Sequence, residues 1–194
     1  MAAHDARPIV GSDMNDAAPA LGLTVVVAGA ESTGKTTLAA ALADAHAVPW
    51  VPEYAREYLS GSVAYRQEDL VHIARGQWRR EQAARVATPG LLVVDTDWLV
   101  IRIWSQVKYA TVPEVVNDHM RAAVASGQRG YLVPRPDIPW QFDPLRENPE
   151  DRVALHALYL AALDELGLPY VELHGTHTQR LRGALAAVTA WQRR

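Results

Sequence analysis

The sequence predicts a three-layer α/β fold in which a five-stranded parallel sheet is covered by helices on both faces. Three observations carry that expectation. Runs such as "LTVVVAG" (23–29) and "GLLVVD" (90–95) are apolar without alternation, as strands buried on both faces are. They alternate with helical segments along the chain. A glycine-rich turn joins the first strand directly to the first helix.

The elements follow in order. The first strand ends at Gly29, and "GKTTLAAALADAH" continues as an Ala- and Leu-rich helix. "VPWV" is a short second strand. Residues 67–87 are helical, with Leu70, Ile73, Ala74 and Gln77 on one face. The strand closed by Asp95 is followed by two helices, 97–109 and 113–126, divided at Pro113. "GYLVP" is a fourth strand. From 135 to 152 four prolines and eight charges erase all periodicity, and a loop that long inside a domain reads as a lid. Leu155, Leu158, Tyr159, Ala162 and Leu166 restore a helical face. "LPYVELHG" is a fifth strand, and a helix carrying Leu181, Leu185 and Val188 closes the chain.

The 194 residues suit a single domain over 21–194 behind a leader at 1–20, whose Ala, Asp, Pro and Gly content reads as disordered. A net charge of −3 offers no general basic field, so neither nucleic acid nor a membrane surface is an expected partner. No apolar run reaches the ~18 residues of a membrane span, and the N-terminus lacks a signal-peptide pattern. Cysteine is absent, which excludes disulfides and thiolate metal sites. The expected location is cytoplasmic, and homo-oligomer formation is left open. His174 and His177 stand close together without an acidic partner, so no zinc site is expected.

"GAESTGKT" (29–36) matches G-x-x-x-x-G-K-[ST] between a predicted strand and a predicted helix. Glycines let the backbone wrap a phosphate closely, and the helix N-terminus adds positive potential. Gly29, Ala30, Glu31, Ser32, Thr33, Gly34, Lys35, Thr36 and Thr37 are therefore the expected nucleotide cradle. Lys35 reaches the β- and γ-phosphates of ATP, and the Thr36 hydroxyl ligates Mg²⁺. The fold class is accordingly that of a P-loop NTPase. Asp95 at a strand end is the candidate metal-holding acid, unless it merely caps the next helix. Asp97 either shares the metal or caps the helix that begins at Trp98.

The stretches "GAESTGKTTLAAALA", "VPEYAREYL", "EDLVHIARGQ", "LLVVDTD", "WS" (104–105) with Tyr109, "DIPWQFDPLRE" and "VELHGTHTQRL" together resemble the ribosylnicotinamide kinase domain of NadR-type proteins, a branch of the P-loop kinases. The resemblance runs from about residue 23 to the C-terminus. It implies transfer of the ATP γ-phosphate to the 5′-hydroxyl of nicotinamide riboside, giving nicotinamide mononucleotide. NadR proteins carry an adenylyltransferase domain and often a DNA-binding domain ahead of this one, and behind a leader of about twenty residues the expectation is a stand-alone kinase or one that has lost those activities. Another nucleoside or nucleotide kinase, or an ATP-binding sensor without turnover, are the competing readings.

Phosphoryl transfer asks mainly for positioning and charge neutralisation. Glu53, two residues past the second strand, faces the acceptor side of a P-loop kinase sheet and is the expected orienter or base. Its alternative is a helix N-terminal charge. Asp97 is the rival base. Arg56, one turn on, either reaches a phosphate or pairs with Glu53. Tyr54 and Tyr58 share a face for packing or for ring stacking. Arg146 and Arg152 are the lid arginines that close over ATP, or else solvated charges. A cationic pyridinium ring suits Trp98 or Trp140 with Asp97 or Asp143. Gly175 and Arg180 lie where P-loop kinases contact adenine.

Overall fold

The structure is a computed structural model and describes residues 22–61, 64–142 and 150–193. The expected leader and two of the lid candidates, Asp143 and Arg146, lie outside the described residues.

β1 (Thr24–Val27) is followed by the glycine-rich turn and α1 (Lys35–His46). β2 (Trp50–Val51) leads into a short α2 (Tyr54–Tyr58) and the long α3 (Gln67–Ala87). β3 (Leu92–Asp95), α4 (Trp98–Tyr109), α5 (Glu114–Ser126) and β4 (Arg129–Pro134) precede the lid. α6 (Arg152–Leu166), β5 (Tyr170–Leu173) and α7 (His177–Trp191) complete the chain. All five expected strands form, although the second and fifth are shorter than their apolar runs. No helix among the described residues is long and apolar enough to cross a membrane.

The strand order is β2-β3-β1-β4-β5, with every pairing parallel. Successive side chains of a strand point to opposite faces. Val25 and Val27 therefore pack with Leu38 and Leu42 of α1 and Val188 of α7. Val26 points the other way, into a core with Leu70, Ile73, Leu99, Ile103 and Tyr159 from α3, α4 and α6. Burial on both faces explains why β1, β3 and β4 read as unbroken apolar runs. The chain extends the sheet first to one side of β1 and then to the other. Such an order opens a crevice beyond the carboxyl ends of the central strands.

α2 leans against α3 at Gly76, where a Cβ would meet the Tyr54 ring at 2.0 Å. Helix propensity alone would have alanine at this position stabilise by about 1 kcal/mol. We expect the opposite sign, because the ring has to move: Gly76→Ala should destabilise by roughly 1–3 kcal/mol in urea unfolding. A gain in stability would refute this packing of α2.

Candidate active site

The turn after β1 takes a conformation that few sequences allow. Gly34 caps α1 at φ 78°, in the left-handed region that favours glycine. Ser32 is also left-handed, at φ 54°. The loop is tied internally, since the Thr33 hydroxyl and Lys35 Nζ both donate to the Ala30 carbonyl at 2.9 Å. The amides at the start of α1 have no helical acceptor and the dipole end is positive, so the turn is built for an anion.

At the end of β3, Asp95 is fully buried and accepts from the Thr36 hydroxyl at 2.6 Å. Burial first, and the nearby Glu53 charge second, push the Asp95 carboxyl up to about 6 against the Thr36 hydrogen bond and Lys35. Its other oxygen, Oδ1, is buried and has no hydrogen-bond partner among the described residues. A carboxylate with one oxygen on the Thr36 hydroxyl and one unpaired offers the oxygen-donor chemistry that Mg²⁺ requires. Thr36 and Asp95 therefore fit a divalent cation.

Glu53 lines the same cavity as the phosphate-binding turn. It precedes α2, pairs with Arg56 Nε at 3.1 Å, and its side chain is 11% exposed. One cavity of about 320 Å³ is lined by the phosphate-binding turn, Glu53, Arg56, Val100, Trp104 and the start of α7. Gln77 holds α2 to the end of β3. Its side-chain carbonyl accepts from the Tyr54 amide at 2.7 Å, and its amide reaches the Asp95 carbonyl at 3.4 Å. Gln77 stood on the predicted apolar face of α3, and a lone buried amide there was the signal for this role.

The lid base is latched to the nucleotide turn. Arg180 is 4% exposed and donates to the carbonyls of Thr33 at 2.5 Å, Arg135 at 3.0 Å and Gly175 at 3.0 Å, and also to Asp137. Asp137 in turn accepts from the Gly175 amide at 2.8 Å. Arg152 donates to the Ile138 carbonyl at 3.0 Å and lies near the Ser32 carbonyl at 3.5 Å. The Gln141 amide donates to the Ser32 hydroxyl at 2.9 Å. Gly175 and Arg180 line the main cavity, although the donors of Arg180 are spent on protein acceptors.

Several expected site residues stand elsewhere. Asp97 is 3% exposed and lines, with Glu53, Val100 and Trp104, only a small cavity of about 10 Å³. Oδ1 caps α4 through the Leu99 amide at 3.0 Å, and Oδ2 accepts from Arg129 at 3.0 Å and the Tyr131 hydroxyl at 2.7 Å. Asp97 is thus the cap of α4, the alternative raised by its position before Trp98, and a buried ion-pair partner of Arg129. Trp98 is 3% exposed and stacks on His119 at 3.8 Å, away from both larger cavities. Trp140 lies over the Arg152 guanidinium at 5.7 Å and lines neither cavity. Tyr54 packs on Gly76, on Tyr58 at 6.1 Å and under Arg80 at 4.6 Å, which is the packing alternative rather than a substrate contact. Trp104, Val100, Ile138 and Gln141 line the cavity without having been singled out. In the sequence, "WS" at 104–105 contains Trp104, and "DIPWQFDPLRE" contains Ile138 and Gln141.

Residues 24–180 match the AAA domain family. No curated protein matches the sequence. Among solved structures, the chain resembles a NadR protein in complex with NR, with 26% identity and a TM-score of 0.68 over 89% of this chain and 52% of that one. A NadR protein in complex with NAD and AMP-PNP gives 26% identity and a TM-score of 0.65 over 89% and 50%. The chain thus spans about half the length of the NadR structures it matches. Deoxyadenosine kinase from M. mycoides with bound dATP shares the fold at 11% identity, with a TM-score of 0.59 over 86% of this chain and all of that one. The phosphate-binding turn on β1, the acid on β3 and the 2-3-1-4-5 sheet agree with these likenesses, and the chain belongs to the AAA domain family with the fold of a NadR-like P-loop kinase.

Proposed function

We propose that this chain transfers the γ-phosphoryl group of ATP to the 5′-hydroxyl of nicotinamide riboside, giving nicotinamide mononucleotide and ADP. The observation that carries the reading is one cavity lined together by Lys35 and Thr36 of the phosphate turn and by Glu53 and Arg56. The likeness to a NadR protein in complex with NR supports the choice of acceptor.

Lys35 and the amides at the start of α1 bind the phosphates. Glu53 orients the 5′-hydroxyl in line with the γ-phosphorus and takes its proton as the new O–P bond forms and the β–γ bridging bond breaks. Arg56, held by Glu53 at 3.1 Å, is placed to meet the transferring phosphoryl. When bound at Thr36 and Asp95, Mg²⁺ supplies charge neutralisation for the β- and γ-phosphate oxygens. The Asp137–Arg180 and Arg152 contacts hold the lid base beside the phosphates, where a closed lid excludes water from the transfer. The chain acts on a small molecule, without nucleic acid or membrane, in the cytoplasm.

A coupled ADP-release assay with ATP, Mg²⁺ and a nucleoside panel tests the reading. Nicotinamide riboside should stimulate turnover at least about tenfold above cytidine and thymidine, a preference worth ~1.4 kcal/mol. Turnover with cytidine or thymidine and background rates with nicotinamide riboside would make the protein a different nucleoside kinase. No stimulation by any nucleoside would make it a nucleotide-binding sensor.

A further inference from the structure

β2 is only two residues long, and its pairing with β3 ends where Val51 meets Val94. β3 runs on to Asp95. Thr96 gives its amide to the Val27 carbonyl of β1 at 3.1 Å, so Asp95, one residue earlier, turns its own backbone groups to the β2 side. The Asp95 carbonyl therefore lies past the end of that ladder, in a fully buried residue, and a buried carbonyl requires a donor. The donor comes from α3, where Gln77 Nε2 reaches the carbonyl at 3.4 Å.

The other end of the same amide faces α2. Gln77 Oε1 accepts from the Tyr54 amide at 2.7 Å, and Tyr54 follows Glu53 directly. Glu53 holds the N-cap position of α2, yet its side chain makes no capping hydrogen bond. Gln77 takes the first helical amide, and the Glu53 carboxylate lies on the lining of the main cavity with Arg56 at 3.1 Å. Gly76 and Gln77, the end of the stretch "EDLVHIARGQ", thus grip Tyr54 at its ring and at its amide.

The brace is stiff. Gln77 is 4% exposed and projects from a helix anchored in the core by Leu70, Ile73 and Ala74. Gln77 and Glu53 line one small cavity of about 10 Å³, with room for no more than a single water molecule. The place suits a neutral primary amide, whose oxygen accepts from an N–H while its nitrogen donates to a carbonyl. A carboxylate lacks the donor, and an apolar side chain lacks both groups.

We propose that Gln77 is a positioning residue for phosphoryl transfer, its bridging amide fixing Glu53 relative to the metal-binding end of β3. The inference rests on the role of Glu53 in the proposed function. In-line transfer demands one spacing between the acceptor's base and the metal-held phosphates, and a shift of about 1 Å costs up to roughly 10²-fold in rate. Gln77 does not line the main cavity, so it acts through Glu53.

The test is a double-mutant cycle on the full chain, run with whichever nucleoside of the panel the wild type phosphorylates fastest. Gln77→Met keeps the length of the side chain and removes both hydrogen bonds. It should lower kcat at least about tenfold while the Kd for ATP stays within about twofold. In the Glu53→Gln background the same substitution should lower kcat by less than about twofold, because the group it positions has already lost its function. Amide hydrogen exchange adds a readout that requires no turnover. The Tyr54 amide opens a helix of only five residues, so without a partner it would exchange freely. In the wild type it should be protected at least about a hundredfold, and Gln77→Met should remove at least about tenfold of that protection while the amides of α1 keep theirs. The wild-type measurement holds whether or not the variant folds. An equal loss of kcat in both backgrounds makes Gln77 a stability residue and overturns the proposal, as does a freely exchanging Tyr54 amide in the wild type. A wild type inert toward every nucleoside overturns the proposed function; Gln77-dependent protection of Tyr54 then still supports the bridge, and its absence overturns it.

Discussion

Glu53→Gln should lower kcat by roughly 10²–10⁴ with ATP and nicotinamide riboside saturating, the usual contribution of general acid–base catalysis. ATP affinity should be unchanged, because the proposed phosphate contacts come from the glycine-rich turn and not from Glu53. The substitution keeps the size of the side chain and removes its charge and its ability to accept a proton. It also breaks the ion pair with Arg56 at 3.1 Å, so acceptor KM should rise modestly. Steady-state kinetics with separate titration of each substrate separates the two effects. An unchanged kcat would remove Glu53 from the chemistry. Asp97 would not then inherit the role, because each of its oxygens is already committed to protein donors.

Arg129→Met should destabilise the fold by roughly 3–5 kcal/mol in denaturant unfolding, because it leaves two acids buried without their cation. Arg129 is 7% exposed, donates to Asp97 at 3.0 Å, and also pairs with Glu81 of α3. Burial by itself would lower the guanidinium's pKa, but the Glu81 and Asp97 carboxylates outweigh it and hold the group above its ordinary value. The network joins α3, β4 and the cap of α4 beneath the acceptor wall. Losing the cation should therefore also loosen Val100 and Trp104, which line the main cavity. A loss below about 1 kcal/mol would mean that the acids protonate or rearrange at little cost.

The parts of the site that are contiguous in sequence were legible before any coordinates. "GAESTGKT" between a strand and a helix, and "LLVVD" with its terminal acid, produce Thr36 beside Asp95 at 2.6 Å. The spacing of Glu53 and Arg56 left pairing and phosphate contact both open, and the pair forms at 3.1 Å inside the cavity. What misled was local chemistry without depth. Asp97 and Trp98 are a plausible acid and aromatic in sequence, yet both are buried, one on Arg129 and one on His119. Trp140 is apolar bulk in a polar loop, and it packs over Arg152 instead of facing a cavity.

The sequence by itself determined the parallel sheet, the phosphate turn and the acid beside it, because apolar runs, glycine positions and strand ends are local properties of the chain. Only the tertiary structure decided which polar groups line the main cavity. That choice depends on partners far apart in sequence, Asp97 with Arg129 and Trp104 with Tyr65 and Tyr159. A carboxylate that finds a buried guanidinium is withdrawn from chemistry, whereas one at a cavity wall remains available to substrate. Folding, rather than residue type, thus left Glu53 on the lining of the main cavity and committed both oxygens of Asp97 to protein donors.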